Sequence, residues 1–230
     1  MPRVTPENRI PDIVRAAVEV FSRKGYRLAQ MEEIAERAGV SKATLYYYFE
    51  SKLHLFQYVL ENAVAGGDGE LPSSKGSPPR SEDEFLRYLK ARLRKGTRLK
   101  SVQVFLKRDA AEIDVAEEIA GIVEELWDIS ERNRIQIVVL EKSFFEFPEL
   151  AEVYSRHGRR QMLLQLEEYL RRRIEMGAIR RLRSVAATAR FMLESLAWFG
   201  FKQFATPSET YPKSETLPDL ISIFVHGLRK

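Results

Sequence analysis

The stretch that decides the fold is Met31–Lys52, MEEIAERAGVSKATLYYYFESK. Its first half sets Ile34, Ala35 and Ala38 at helical spacing, all small or apolar, and Gly39 follows at once. Glycine accepts the left-handed backbone of a helix end, so a helix over about Gln30 to Ala38 is expected to stop there. Ser41 is a good N-cap for a second helix, and Val40 and Leu45 on either side of it have the spacing of a hydrophobic staple. Within that helix Leu45 and Phe49 lie one turn apart and face inward, while Lys42/Tyr46, Ala43/Tyr47 and Thr44/Tyr48 cover the other faces. Three adjacent tyrosines cannot all be core on so short a helix. At least one offers its hydroxyl outward, within reach of a phosphate or a base edge. Helix, tight turn and second helix in this order form a helix-turn-helix, whose second helix presents one face to the DNA major groove. Ala43 keeps the side chain short where that helix comes closest to DNA, and Lys52 opens the next helix beside its free N–H groups, an anion-binding arrangement.

Upstream, Ile13, Ala16, Ala17, Val20 and Phe21 form the apolar stripe of a first helix that Gly25 ends. Two starts fit it equally: Asn8 as cap with Pro11 in the first turn, or Thr5–Pro6 with Pro11 bending the helix. Downstream, a fourth helix opens at Ser51 and carries Leu53, Phe56, Val59 and Leu60. Residues 66–81 are rich in Gly, Pro and Ser with almost nothing apolar, which predicts a mobile connection. The remainder reads as long helices, with breaks near Lys95–Thr97, near Phe147–Pro148, at Gly177 and between Pro207 and Pro218. The expected architecture is all-α, a three-helix DNA-binding domain over residues 1–50 and a larger helical bundle over 51–230. A linking helix is expected over about 51–65.

Composition narrows the chemistry further. Of 230 residues none is cysteine, which removes disulfides, thiolate metal sites and a cysteine nucleophile. The histidines, His54, His157 and His226, stand far apart and in no metal-ligand spacing, so no metal site and no cofactor are expected. No nucleophile elbow, phosphate loop or paired acid–base set points to an enzyme. The polar start carries no secretory pattern, and no run approaches the roughly 20 apolar residues of a spanning helix, so a cytoplasmic protein without a membrane partner is expected. A net charge of +4 favours nucleic acid only mildly.

The run IAERAGVSKATLYYYFESK resembles the TetR-family signature, and the upstream AAVEVFSRKGY resembles that family's first helix and closing glycine. The resemblance covers about Ile13 to Leu60. It implies a DNA-binding transcriptional regulator, a repressor acting as a homodimer on a near-palindromic operator and released by a small apolar or amphipathic effector. It also implies that Ser41, Lys42, Ala43, Tyr46, Tyr47 and Lys52 touch DNA, with Tyr46 and Lys52 on phosphates and Ala43 and Tyr47 near base edges. Thr44 and Gln30 complete the candidate interface, and Tyr48 stands where the family combines packing with phosphate contact. One departure is plain. Where the family often opens its second helix with a threonine pair, this chain has Ala29 and Gln30. Arg3 and Arg9 read as a basic tip.

In the C-terminal half, Trp127, Phe144, Phe105 and Tyr88 are the candidate lining of an effector pocket, Trp127 because its N–H can orient a ligand. The helix over Ser184 to Phe204 is apolar on nearly all sides, so it must be buried or paired. Phe191, Leu196 and Phe199 are the candidate dimer contacts, and the resemblance implies a last helix over Leu217 to Leu228 as partner in a four-helix dimer bundle. An arginine-rich stretch from Arg156 to Arg183 offers a rival reading as a non-specific nucleic-acid or membrane-surface binder. Its helical stripe of Met162, Leu163, Leu166, Tyr169, Leu170 and Ile174 points instead to a solvated face whose arginine stems cover apolar surface.

Overall fold

The computed structural model describes residues 9–62, 77–205 and 211–229. In chain order its helices are α1 (Ile10–Leu28), α2 (Met31–Arg37), α3 (Lys42–Tyr48), α4 (Lys52–Asn62), α5 (Glu82–Gly96), α6 (Lys100–Phe105), α7 (Val115–Arg132), α8 (Arg134–Ser143), α9 (Pro148–Tyr154), α10 (Arg160–Glu175), α11 (Val185–Gly200) and α12 (Lys213–Leu228). The described residues form no sheet, only an isolated bridge between Ile179 and Arg229, and the fold is all-α. Packing sorts the chain into two compact units, Met1–Arg92 with Arg132–Ser155, and Leu93–Glu131 with Arg156–Lys230. This grouping differs from a cut at residue 50, because α1 and α4 pack with α8 as well as with their neighbours in the N-terminal module.

In the first unit α1 starts with Pro11 in its first turn, where the missing N–H is harmless, and the residues of the alternative start lie outside the described ones. Its stripe of Ile13, Ala16, Ala17, Val20 and Phe21 is buried as the period requires. Phe21 meets Phe56 of α4 edge-on with ring centroids 5.0 Å apart, and Phe56 meets Phe85 of α5 at 5.6 Å. Burial of each such side chain contributes about 1.5–3 kcal/mol. Gly25 does break α1, at φ 78°, but one more helical turn follows and reaches Leu28. The loop expected over 66–81 is described only from residue 77 onward.

In the second unit α7, α10, α11 and α12 close around Ile119, Ile122, Leu166, Tyr169, Leu170, Met192 and Leu196. Ser184 caps α11 by accepting from the Ala187 N–H at 3.1 Å. Gly177 takes the left-handed conformation at φ 73° and ends the helical stretch of α10, as expected. α12 starts earlier than Leu217: Pro218 sits inside it and forfeits one backbone bond without stopping it.

Candidate nucleic-acid interface

The turn between α2 and α3 closes with two backbone bonds. The Val40 N–H donates to the Ala35 carbonyl at 3.0 Å and the Gly39 N–H to the Glu36 carbonyl at 3.1 Å. With Gly39 at φ 64°, this is a Schellman closure, and it satisfies carbonyls that a helix end leaves open. Ser41 then caps α3, its Oγ accepting from the Thr44 N–H at 3.0 Å. The inward face of α3 is Leu45, Tyr48 and Phe49, all buried. Its outward face is Lys42, Ala43, Tyr46 and Tyr47, with Tyr47 75% exposed. Gln30 and Ser41 are exposed as well, and Thr44 is half-buried with its hydroxyl 2.8 Å from the Ser41 Oγ.

Tyr48, Lys52 and Lys42 are each engaged within the protein. Tyr48 is 6% exposed and packs in the module, edge-on to Tyr47 at 5.3 Å. Lys52 donates to the Arg27 carbonyl at 2.9 Å and to the Ala29 carbonyl at 2.8 Å, and lies 4.9 Å over the Tyr26 ring. Burial holds its amine below the usual lysine range. Two of its three donors therefore close the α1–α2 connection, leaving one for an anion. Ala29 is sealed at 1% exposure, and Gln30 occupies the N-cap of α2 without a side-chain cap bond, so it does not replace the capping half of the missing threonine hydroxyl's role. Lys42 pairs with Glu32 of α2 and lies over the Tyr46 ring at 5.9 Å; the hydrogen bond to Glu32 raises the lysine and lowers the carboxylate. A phosphate approaching Lys42 competes with that exposed pair. Arg9 pairs loosely with Asp12 at 4.0 Å, and Arg3 lies outside the described residues.

A third set of residues was not visible as a group in the sequence. Beyond Gly25, the N–H groups of Tyr26, Arg27 and Leu28 restart the helix and need acceptors. Ser143 Oγ accepts from Tyr26 at 3.0 Å, and the Glu146 carboxylate accepts from Arg27 at 2.7 Å and from Leu28 at 3.1 Å. A Cβ on Gly25 would stand 2.2 Å from Glu146 Oε1, so the glycine is what admits the carboxylate. The Arg27 guanidinium lies 5.0 Å over the Phe147 ring, and burial pushes the neighbouring Tyr26 phenol up to about 12. The segment after α8 thus holds the chain immediately before α2. Gly25 was the visible signal; its partners, more than a hundred residues away, were not.

The other candidates are dispersed. Trp127 lines a cavity of the second unit, whereas Phe105 is buried beneath the Arg108 guanidinium and against Gly121. Phe144, tilted on Tyr154, and Tyr88, bonded to Arg92, belong to the first unit. Of the expected dimer contacts, Phe191 is 62% exposed, Phe199 is half-buried on Trp127, and Leu196 is fully buried in its own unit with no surface to offer. The arginine-rich face is solvated with one correction. Arg171 and Arg172 are exposed and paired with Glu167 and Glu175, but Arg173 is fully buried against Glu118 at 2.6 Å. Within the run Arg171–Arg173, two charges are thus paired and the third is withdrawn into the core.

Residues 13–59 match the family profile described as bacterial regulatory proteins, tetR family. In sequence the chain is similar to the HTH-type transcriptional activator FasR of Mycolicibacterium smegmatis, 48% identical over 62 residues, which is 27% of this chain and 28% of FasR. It is similar to the regulator RutR of Escherichia coli K12, 50% identical over 52 residues, 23% of this chain and 24% of RutR. The repressor KstR of Rhodococcus jostii is 40% identical over 67 residues, 29% of this chain and 30% of KstR. These matches therefore span under a third of each relative. Over the whole length the fold is that of the ketosteroid transcriptional regulator KstR2 of Mycobacterium tuberculosis, at a TM-score of 0.59 and 18% identity, covering 100% of this chain and 97% of that one. PfmR of Thermus thermophilus, a TetR-family regulator, is similar at a TM-score of 0.50 and 21% identity, covering 95% and 99%.

Proposed function

With the N-terminal module a TetR-family helix-turn-helix, we propose that this chain is a homodimeric transcriptional regulator that represses from a near-palindromic operator and is released by a small apolar or amphipathic effector. The observation that carries the reading is the outward face of α3. Tyr47, 75% exposed, stands beside Ala43, Tyr46 and Lys42 on a helix anchored by buried Leu45 and Phe49. Large aromatic surface is left in water there, and a groove lined with phosphates and base edges is what it complements. In this reading Tyr46 and the remaining donor of Lys52 hold phosphates, Ser41 and Gln30 support them, and Ala43 and Tyr47 read bases. A second copy pairs through α11 and α12, where Phe191 and Ile223 are 62% and 58% exposed. Two recognition helices then enter successive major grooves, with half-sites set by the dimer. The effector must bind the released state better than the DNA-bound one, or it shifts nothing. In this reading the protein acts where its operator lies, in the cytoplasm; separately, no helix among the described residues is long and apolar enough to cross a membrane.

The test is a gel-shift titration on the DNA upstream of the chain's own gene, against random DNA of equal length. Sequence-selective binding that Tyr47→Ala weakens tenfold or more is the expected result. Equal affinity for both DNAs, governed by salt alone, overturns the reading. A transcription assay fixes the sign of regulation.

A further inference from the structure

Among the described residues of the second unit, one buried donor has no acceptor. Trp127 on α7 is 2% exposed, and its indole Nε1–H is buried and finds no acceptor among the described residues. Buried donors are nearly always paired, and those that are not call for an explanation. The same indole lines a cavity of about 150 Å³ whose other walls include Phe199, Gly200, Tyr211 and Lys213. Phe199 lies nearly parallel to the indole, with ring planes 11° apart, and Tyr211 stands edge-on to Phe199 at 5.5 Å. An apolar space of this volume admits a single aromatic ring.

The polar groups around the cavity restrict the occupant further. Gln203 also lines it, but its amide is satisfied from both ends: it donates to the Phe199 carbonyl and accepts from the Tyr211 N–H at 2.9 Å. Neither end of it is bonded to the indole. Lys213 is held by Asp128 at 2.6 Å and Glu131 at 3.6 Å, one cation against two carboxylates. A neighbouring depression that shares Phe199 and Tyr211 adds Glu215 and Asp219. The rim is therefore acidic, and an anionic ligand is disfavoured on entry.

We propose that this cavity binds a neutral one-ring aromatic carbonyl compound, its ring against Trp127, Phe199 and Tyr211 and its carbonyl oxygen accepting from Trp127 Nε1–H. The proposal deepens the reading of the chain as an effector-responsive regulator and rests on it for regulatory meaning. Binding itself stands or falls separately.

The experiment compares acetophenone with α-methylstyrene, in which a methylene replaces the carbonyl oxygen, and with benzoate, which adds a negative charge. Each is titrated into the full-length protein and followed by the indole N–H resonances; there are two tryptophans, and Trp198→Phe assigns them. Acetophenone is expected to move the Trp127 resonance saturably and to bind about tenfold tighter than either analogue, the scale of one hydrogen bond to a buried donor. In Trp127→Phe the preference for acetophenone over α-methylstyrene should fall to about one. Lack of saturable binding up to millimolar acetophenone overturns the proposal. So does an unmoved Trp127 resonance, or a preference that survives Trp127→Phe. If that variant does not fold, the wild-type comparison of acetophenone with α-methylstyrene decides alone. The gel shift, run on the same preparation, keeps the two readings apart. Operator binding with no acetophenone binding removes the cavity proposal only, and the converse removes the operator.

Discussion

Tyr47 and Tyr48 carry the same side chain at adjacent positions, yet one is 75% exposed and the other 6%. A step of one residue on a helix turns the side chain by about 100°, and Leu45 and Phe49 fix which of the two turns inward. Tyr47→Ala should therefore leave the urea midpoint nearly unchanged while weakening operator binding tenfold or more. Tyr48→Ala should cost about 3 kcal/mol of stability, by analogy with other buried aromatic truncations. Urea melts and gel shifts on the two variants check the split, and equal effects on DNA would contradict it. The sequence limits the exposed tyrosines only to "at least one"; choosing among them needs the packing of α3 on its module. Lys52 shows the same limit, since its charge was legible and its two carbonyl partners, Arg27 and Ala29, were not. Gly25 makes the sharpest residue-scale case. At φ 78°, and with a Cβ landing 2.2 Å from Glu146 Oε1, Gly25→Ala meets both strain and collision. A loss of about 1–3 kcal/mol is expected in chemical denaturation, with Glu146→Ala in the same chain returning part of it.

Whole elements were legible where a local rule names both ends. Gly39 and Ser41 bracket the turn, and the structure closes it with the left-handed glycine and the capping hydroxyl those residues supply. α10 shows why periodicity alone misleads. Leu163, Leu166 and Leu170 form its inner stripe, and Arg173 continues their spacing into the core. Reading every arginine as solvated hides this, because a buried cation is recognisable only with its partner, and Glu118 lies 55 residues away on the inner face of α7. There Glu118 accepts from the Arg173 Nε at 2.6 Å and from the Tyr169 hydroxyl at 3.1 Å, and burial pushes that phenol well above its ordinary range. Arg173→Met strands a buried carboxylate and should cost about 3–5 kcal/mol. Arg173→Met with Glu118→Leu removes both charges and should recover most of that loss. A double-mutant cycle from denaturation curves tests it, and additive losses would show that the pair does not act together.

At the scale of the molecule, the chain itself joins the two units. Residues 132–155, which pack with α1 and α4, directly continue α7 and lead on toward α10. No motif announces that arrangement, because it depends on contacts between segments far apart in sequence, such as Ser143 with Tyr26 and Glu146 with Arg27. Its consequence is mechanical. The last turn of α1 is held by Ser143 and Glu146 on one side and by Lys52 on the other, and it leads into α2 through Ala29 and Gln30. The set of α2 and α3 is therefore expected to depend on Glu146, although Glu146 lies outside the outward face of α3. Glu146→Ala returns the Arg27 and Leu28 amides to water, at about 1–2 kcal/mol of stability. It should raise hydrogen exchange at residues 27 and 28 and weaken operator binding several-fold. The slope of log affinity against log salt should stay as in the wild type, because that slope counts neutralised phosphates and no phosphate contact has been removed. A variant with faster exchange but unchanged affinity would show that the clamp does not position the recognition helix. A shallower salt slope would instead place Glu146 among the groups that arrange the phosphate contacts themselves.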